Sequence, residues 1–428
     1  MTMRLLLLHL GLCFLLSGCL QDECADTLTY QAFQPVLVSA ADWRNTDFTV
    51  KSATVAVCEP SGFYAYGDYL FVVDRNEGVH IYDNHDNDEP VAVGFLPVPG
   101  GQGIAVRNDV LYLSQYLDVV AFDLSKPSTP TLLSRTEDVF EVYSVFAGTG
   151  PAGDEFVVNY VPSLETMEVS CTDLRGGEDF WQDDLVFTLD ASRFTNNYAP
   201  GAPDRVGQGG SLARFTIARS TLYAVDDTRL RTFSLADPTS PEMVGEIELG
   251  QGIETIFPYE DQLYIGSTTG VHIYDVSNPL VPDHLSTFEH VLSCDPVVVQ
   301  NDLAYVTMWG GSTCGSQDDR LLILDVSNPR QPVELQSTVM QQSHGLGVDG
   351  DRLYLCSGSD GLKVYDLDER GLLGELIGQR SDFNAKDVIV RGDRQELIVF
   401  GWGQAGIRQY DYTRAGELSP VSELTYCQ

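Results

Sequence analysis

The sequence predicts an all-β protein made of four-stranded units of about 41 residues. Three observations predict it. The segments LYIGSTTGVHIYDVSNPLVPDHL (Leu263 to Leu285), RLLILDVSNPRQPVEL (Arg320 to Leu335) and RLYLCSGSDGLKVYDL (Arg352 to Leu367) share one grammar. It runs as an apolar strand, a short polar turn, a Leu-Tyr strand, a Gly-containing turn, a β-branched strand ending in Asp, a Ser-Asn-Pro type turn and a last strand. The residue closing the third strand recurs as Asp83, Asp123, Ser234, Asp275, Asp325, Asp366 and Asp411. Helical periodicity is hard to find along the whole chain. Four such strands per repeat make the blade of a β-propeller.

The spacing of the closing residues sets the number of units. Their separations are 40, 111, 41, 50, 41 and 45 residues. The gap of 111 is one repeat plus about 70, and VYSVFAG (Val142 to Gly148) with EFVVNYVPSLETMEVSCTD (Glu155 to Asp173) reads as a degenerate unit filling it. The expectation is therefore eight blades, with seven blades and an insertion as the alternative.

Each recurring residue type has a physical reason to recur. Gly78, Gly270, Gly361 and Gly406 precede the third strand, where a tight turn favours a positive φ. In Asp275-Val276-Ser277-Asn278-Pro279 the polar side chains can bond nearby backbone amides, and the proline stops the strand from running on. Tyr112, Tyr223, Tyr264, Tyr305 and Tyr354 share one phase in the second strand. They are expected to pack between blades, because each blade buries both faces against its neighbours.

These residues resemble the LVIVD-repeat family of bacterial proteins. Its repeats carry a Gly-Leu-x-Ile-x-Asp-Val-Ser-Asn-Pro core and imply a propeller. GVHIYDVSNP and RLLILDVSNP match that core, whereas GVHIYDNHDNDEP in the first copy, LRTFSLADP in the fourth and DYTRAGELSP in the last depart from it. The likeness runs from Ser61 to about Leu424. TYQAFQPVLVSAADWR, before the repeats, is similar to the N-terminal region of lipoproteins that carry them. The family brings no catalytic residues to map.

The N-terminus reads as an export signal. One charge at Arg4 precedes an apolar run from Leu5 to Leu16 and then small residues. Leu16-Ser17-Gly18-Cys19 resembles the bacterial lipobox, which implies cleavage after residue 18, lipid on Cys19 and a palmitate-type anchor. Leu20, rather than aspartate, follows the cysteine, which implies the outer membrane, on either its periplasmic or its surface face. Residues 19–57 would then link lipid to ring, and residues 58–428 would be the propeller, with an irregular insertion near 174–210 holding Phe180, Trp181 and Phe194. That insertion suits a partner contact, a lid, simple packing or disorder. TDFTVKSATVAV, just before the ring, could supply a closing strand.

Charge narrows the partners. Lys+Arg 25 against Asp+Glu 62 gives −37, and loss of Arg4 with the signal makes it −38. Such a field repels nucleic acid and anionic lipid, and it suits solubility, cationic partners or divalent ions. Of nine cysteines, Cys13 leaves with the signal and Cys19 takes lipid, so seven remain and they cannot all pair within one chain. Cys294 with Cys314 and Cys58 with Cys427 are the candidate disulfides of an exported ring.

Three functions fit these features. The first is a non-enzymatic cell-envelope scaffold that binds a protein or glycan, supported by the anchor and by the lack of a G-x-S-x-G elbow, Walker loop or HExxH. The second is a hydrolase or lyase at the channel mouth, where alignment of the first strands brings Gln102, Asp295, His344 and Lys386 to one phase with Arg214 and Glu254 close by. The same groups equally suit a water-filled channel in which they satisfy one another. The third is a calcium-stabilised adhesin, since Asp83, Asp86, Asp88 and Glu89 concentrate oxygen ligands in one turn, though without EF-hand spacing. No other cofactor is expected.

Overall fold

The computed structural model describes residues 25–53, 55–75, 77–140, 155–170, 205–290, 296–310, 318–401, 406–413 and 416–427. Residues 1–18, expected to be an export signal, Cys19, Asp295, Cys294, Cys314, Val142 to Gly148 and the aromatics Phe180, Trp181 and Phe194 lie outside these residues.

The chain divides into two compact units. In the first, Ala25–Ser39 pairs with Glu155–Ser170 in a two-stranded sheet. Glu165 receives bonds from the Tyr30 hydroxyl at 3.3 Å and the Gln34 amide at 3.2 Å.

The second unit is a ring of seven sheets. The blades span 60–97, 104–136, 215–248, 253–289, 297–339, 346–380 and 385–424, and each is a four-stranded antiparallel meander. The expected eighth blade is not there. Glu155–Ser170 is one continuous strand of 16 residues with no internal turn, so it cannot fold back into a blade, and its partner is the N-terminal strand. The alternative of seven blades with an insertion describes the molecule.

The second-strand tyrosines pack between blades, and three of them bond to the next blade. Tyr112, Tyr223, Tyr264, Tyr305 and Tyr354 are all essentially excluded from solvent, as are Phe71 and Ile398 at the same phase in the first and last blades. Tyr112 donates its hydroxyl to the carbonyl of Pro238 at 2.8 Å, Tyr223 to Pro279 at 2.8 Å and Tyr305 to Gly371 at 3.0 Å. Each acceptor lies in the turn before the outer strand of the next blade. That turn is itself pinned by the residue closing the third strand. Asp123 accepts the amide of Ser125 at 2.7 Å, Asp275 that of Ser277 at 2.7 Å and Asp325 that of Ser327 at 2.9 Å. These bonds, joined by those from the serine hydroxyls, hold the three carboxyls below their ordinary range. Before the third strand, Gly361 and Gly406 take φ of +79° and +74°, and a Cβ on either would strike a carbonyl of the neighbouring strand.

The ring closes between blades 7 and 1. Phe63 stacks on Phe400 with centroids 5.3 Å apart, Asn84 and Gln409 exchange bonds at 2.7 Å, and Arg391 donates to the Gly67 carbonyl at 2.8 Å. Cys58 is disulfide-bonded to Cys427, a link spanning 369 residues, and the Cys427 amide donates to Val57 at 2.7 Å. Buried Asp74 fixes the first of these cysteines by accepting the amides of Cys58 and Glu59. Of TDFTVKSATVAV, Lys51 makes a bridge to Phe95 on the outer strand of blade 1, and the last blade is completed by its own Leu418–Leu424.

Upstream of the ring, Ser39 caps a short helix, Ala40–Arg44. It is locked to blade 2 by fully buried Asp118, which accepts from Trp43 at 3.2 Å, from Arg44 at 2.8 and 2.9 Å and from Arg135 at 2.8 Å. Burial alone would raise this carboxyl, yet these donors and the Asp138 amide hold it below its ordinary value.

Two predictions follow from these contacts. Cys58→Ser should lower stability by about 2–5 kcal/mol, measured by urea unfolding of the oxidised chains, because the link constrains a very long loop of the unfolded chain. An unchanged midpoint would contradict the role of the disulfide in ring closure. Tyr223→Phe should cost about 1 kcal/mol by removing one interblade bond, whereas Tyr354→Phe should be neutral or mildly stabilising, since the buried Tyr354 hydroxyl has no partner among the described residues. Thermal melts of the two variants distinguish these outcomes.

Candidate functional site

The first strands of all seven blades run in one direction and line a channel, so one mouth lies where they begin and the other where they turn into the second strands. Gln102, Arg214, Glu254, His344 and Lys386 all sit at or beside the beginnings of these strands, which places them on the same mouth. Asp295 lies outside the described residues.

Each of these side chains has a local setting. Gln102 is exposed, and its backbone amide donates to the Ser114 hydroxyl at 2.9 Å. Arg214 donates to the Ile253 carbonyl at 3.4 Å. His344 packs edge-on against Trp309, centroids 4.6 Å apart, and burial together with nearby Lys386 lowers its pKa to about 4 despite the opposing pull of Asp319. It is neutral at pH 7. Lys386 lies over the Phe400 ring at 5.5 Å, and burial with the charge of Arg75 brings it down to about 8.

What the sequence reading missed is inside the channel. Residues 205–214, at the end of the insertion, run through it from the hairpin mouth to the beginning mouth. At the hairpin mouth, Arg205 and Asn108 of blade 2 exchange bonds at 2.9 Å, Val206 bridges to Arg107, and the Gly207 amide donates to Val106 at 3.0 Å. Gln208–Gly209 then adds to the first strand of blade 1 as a fifth strand, paired with Ala65 and Tyr64, while the Gln208 side chain donates to Val390 of blade 7 at 3.2 Å. At the beginning mouth, Ala213 accepts the amide of Ile256 of blade 4 at 2.9 Å, and Arg214 leads into blade 3.

The segment is fixed at its centre by Asp387. This carboxylate, fully buried in the first strand of blade 7, accepts the Ser211 amide at 3.1 Å, the Ser211 hydroxyl at 2.8 Å and the Leu212 amide at 3.1 Å. Its own neighbour Val388 adds an amide at 2.9 Å. The Ser211 hydroxyl in turn accepts the amide of Leu346 from blade 6 at 2.9 Å. Desolvation outweighs all these donors, and the carboxyl is pushed up to about 6. Glycine is required along this path. A Cβ at Gly207 would run into the Tyr64 ring, at Gly209 it would crowd Ala213, and at Gly210 it would enter the Asp387 carboxylate.

Asp83 accepts the His85 amide at 3.0 Å and Asp86 that of Asp88 at 3.2 Å, so this acidic turn uses carboxylate oxygens to hold its own backbone. Among the described residues no group of three or more His, Cys, Asp or Glu side chains is arranged to hold a metal ion, and Asp83, Asp86, Asp88 and Glu89 are not brought together as one.

Comparison with known proteins adds the following. The model of the LVIVD repeat matches residues 294–339, which hold blade 5 and its Asp325-Val326-Ser327-Asn328-Pro329 turn. No curated protein matches the chain. Among solved structures, a candidate 6-phosphogluconolactonase from Bacteroides fragilis superposes with a TM-score of 0.53 at 12% identity, covering 89% of this chain and 97% of its own. A protein of unknown function from Desulfotomaculum acetoxidans gives 0.51 at 11% identity over 84% and 96%. The computationally designed protein Ika8 gives 0.51 at 6% over 89% and 92%. At these identities the likeness is one of fold. The chain is a seven-bladed β-propeller that carries an LVIVD repeat.

Proposed function

We propose that the protein is a non-enzymatic binding or scaffolding propeller of the cell envelope, tethered to the outer membrane by lipid on Cys19. One observation carries the binding reading. The channel, where propellers commonly place small-molecule chemistry, holds the protein's own residues 205–214, bonded to blades 1, 2, 4, 6 and 7. A rigid ring filled in this way offers its rims and loops to a protein or glycan rather than an open cavity to a substrate. The location is supported by the export signal and the Leu16-Ser17-Gly18-Cys19 sequence, and the Cys58–Cys427 disulfide suits an oxidising compartment.

The tether is tested by fractionating cells fed a clickable palmitate analogue. The unsubstituted protein should sediment with outer membrane and carry label, and Cys19→Ser should lose the label and leave the membrane fraction. Membrane retention of Cys19→Ser would contradict the tether. For the binding reading, the mature propeller is cross-linked in native envelopes. Capture of one protein or glycan that survives His344→Ala and Lys386→Ala is expected, whereas capture abolished by both changes would favour chemistry at the mouth.

A further inference from the structure

We infer that the groove between the outer parts of blades 6 and 7 is a binding site for a short neutral saccharide.

The place follows from the ring. Blades are radial sheets, so they pack closely toward the channel and diverge toward the outside. At the joint of blades 6 and 7 the divergence leaves a cavity of about 610 Å³, within the size range of small-molecule sites. One wall is the end of blade 6 and the link after it, from Gln379 to Asp382. The other is the third and fourth strands of blade 7, which present Arg408 and Glu423 as a cross-strand pair.

The charged groups of the groove are fixed in advance. The Arg408 guanidinium lies over the Phe383 ring at 4.8 Å, donates to Asp382 on the opposite wall and donates to Glu423 at 3.4 Å. Arg380 crosses the joint to donate to the Leu418 carbonyl. A ligand therefore need not pay to order either arginine. Each also keeps a buried Nε with no partner among the described residues, so the fold does not use up these groups. The carboxylates of Asp382 and Glu423 line the cavity and remain 64% and 46% exposed.

The ligand class follows from the balance. Two guanidinium groups face two carboxylates, in a chain whose net charge is −37. A ligand charged with either sign meets repulsion along with attraction. A polyol meets attraction alone, since its hydroxyls donate to carboxylates and accept from guanidinium N–H, and such charge-assisted bonds are the strong ones. Gln379 and Ser381 add uncharged donors and acceptors, and Pro420 with Val421 offers a small apolar strip to the C–H face of a sugar ring.

The inference rests on the reading of the ring as a binding module and narrows its partner. Its test needs no membrane. Saturation-transfer NMR is run on the purified chain with neutral disaccharides of glucose, galactose, mannose and N-acetylglucosamine as probes. At least one should show transfer, and titration then gives its affinity. Asp382→Ala and Glu423→Gln, both at exposed side chains, should each weaken that sugar about tenfold. The matching uronic acid and amino sugar, one anionic and one cationic, should bind more weakly than the neutral form. The inference is overturned if no probe shows transfer, if either substitution leaves the affinity unchanged, or if a charged form binds as tightly as the neutral one. Thermal melts establish that the variants are folded, and should Glu423→Gln not fold, Asp382→Ala decides alone. Capture of a protein from envelopes together with no sugar binding would overturn this inference and leave the binding reading standing.

Discussion

The ring depends on burying both apolar faces of each blade against its neighbours, and at three joints a bond from a second-strand tyrosine to the turn of the next blade gives that packing its direction. A four-stranded sheet with two apolar faces is insoluble alone, and it becomes stable only when both faces are covered. Apolar packing supplies the driving force but little direction. The hydroxyls of Tyr112, Tyr223 and Tyr305 supply direction, because each reaches one carbonyl in the neighbour. That carbonyl is in place because an Asx turn and a proline have fixed the chain around it, as at Asp275 and Pro279. One repeat motif thus solves the turn within a blade and the joint between blades. Where the phase holds Ile398 instead, the ring is closing, and other contacts take over: the stacked Phe63 and Phe400, the Asn84–Gln409 pair and the disulfide.

Much of this was legible in the sequence, and the reason is local. The strand-closing aspartates and the tyrosines recur at a constant phase, and both act within or just beyond their own repeat. The number of blades was harder to read. EFVVNYVPSLETMEVS has the composition of propeller strands, and composition does not reveal whether 16 apolar-rich residues turn back or run straight. In this chain they run straight, because no Gly or Asn-Gly interrupts them. The gap of 111 residues therefore measures an insertion and not a repeat.

The chemistry inside the channel was not legible in the sequence. Alignment of first strands put Gln102, Arg214, Glu254, His344 and Lys386 at or near one phase, and each stands within a few residues of the start of its strand. Asp387, next to Lys386, gives no sign of its role in the sequence, since a carboxylate inside a strand shows its importance only when its donors are known, and those donors arrive from 176 and 175 residues away. Gly207 to Gly210 carried a signal that was ambiguous in kind. Glycines close together mark a loose loop or a strand squeezed by its surroundings, and here Tyr64 and Asp387 do the squeezing.

The central claim is that residues 205–214 occupy the channel in the folded protein. Amide hydrogen exchange of the folded propeller tests it most directly at Ser211 and Leu212, whose amides donate to buried Asp387. The account predicts protection comparable to that of the inner strands, released only with opening of the ring. Exchange of these two amides at the rate of an exposed loop, while the blades stay protected, would contradict it.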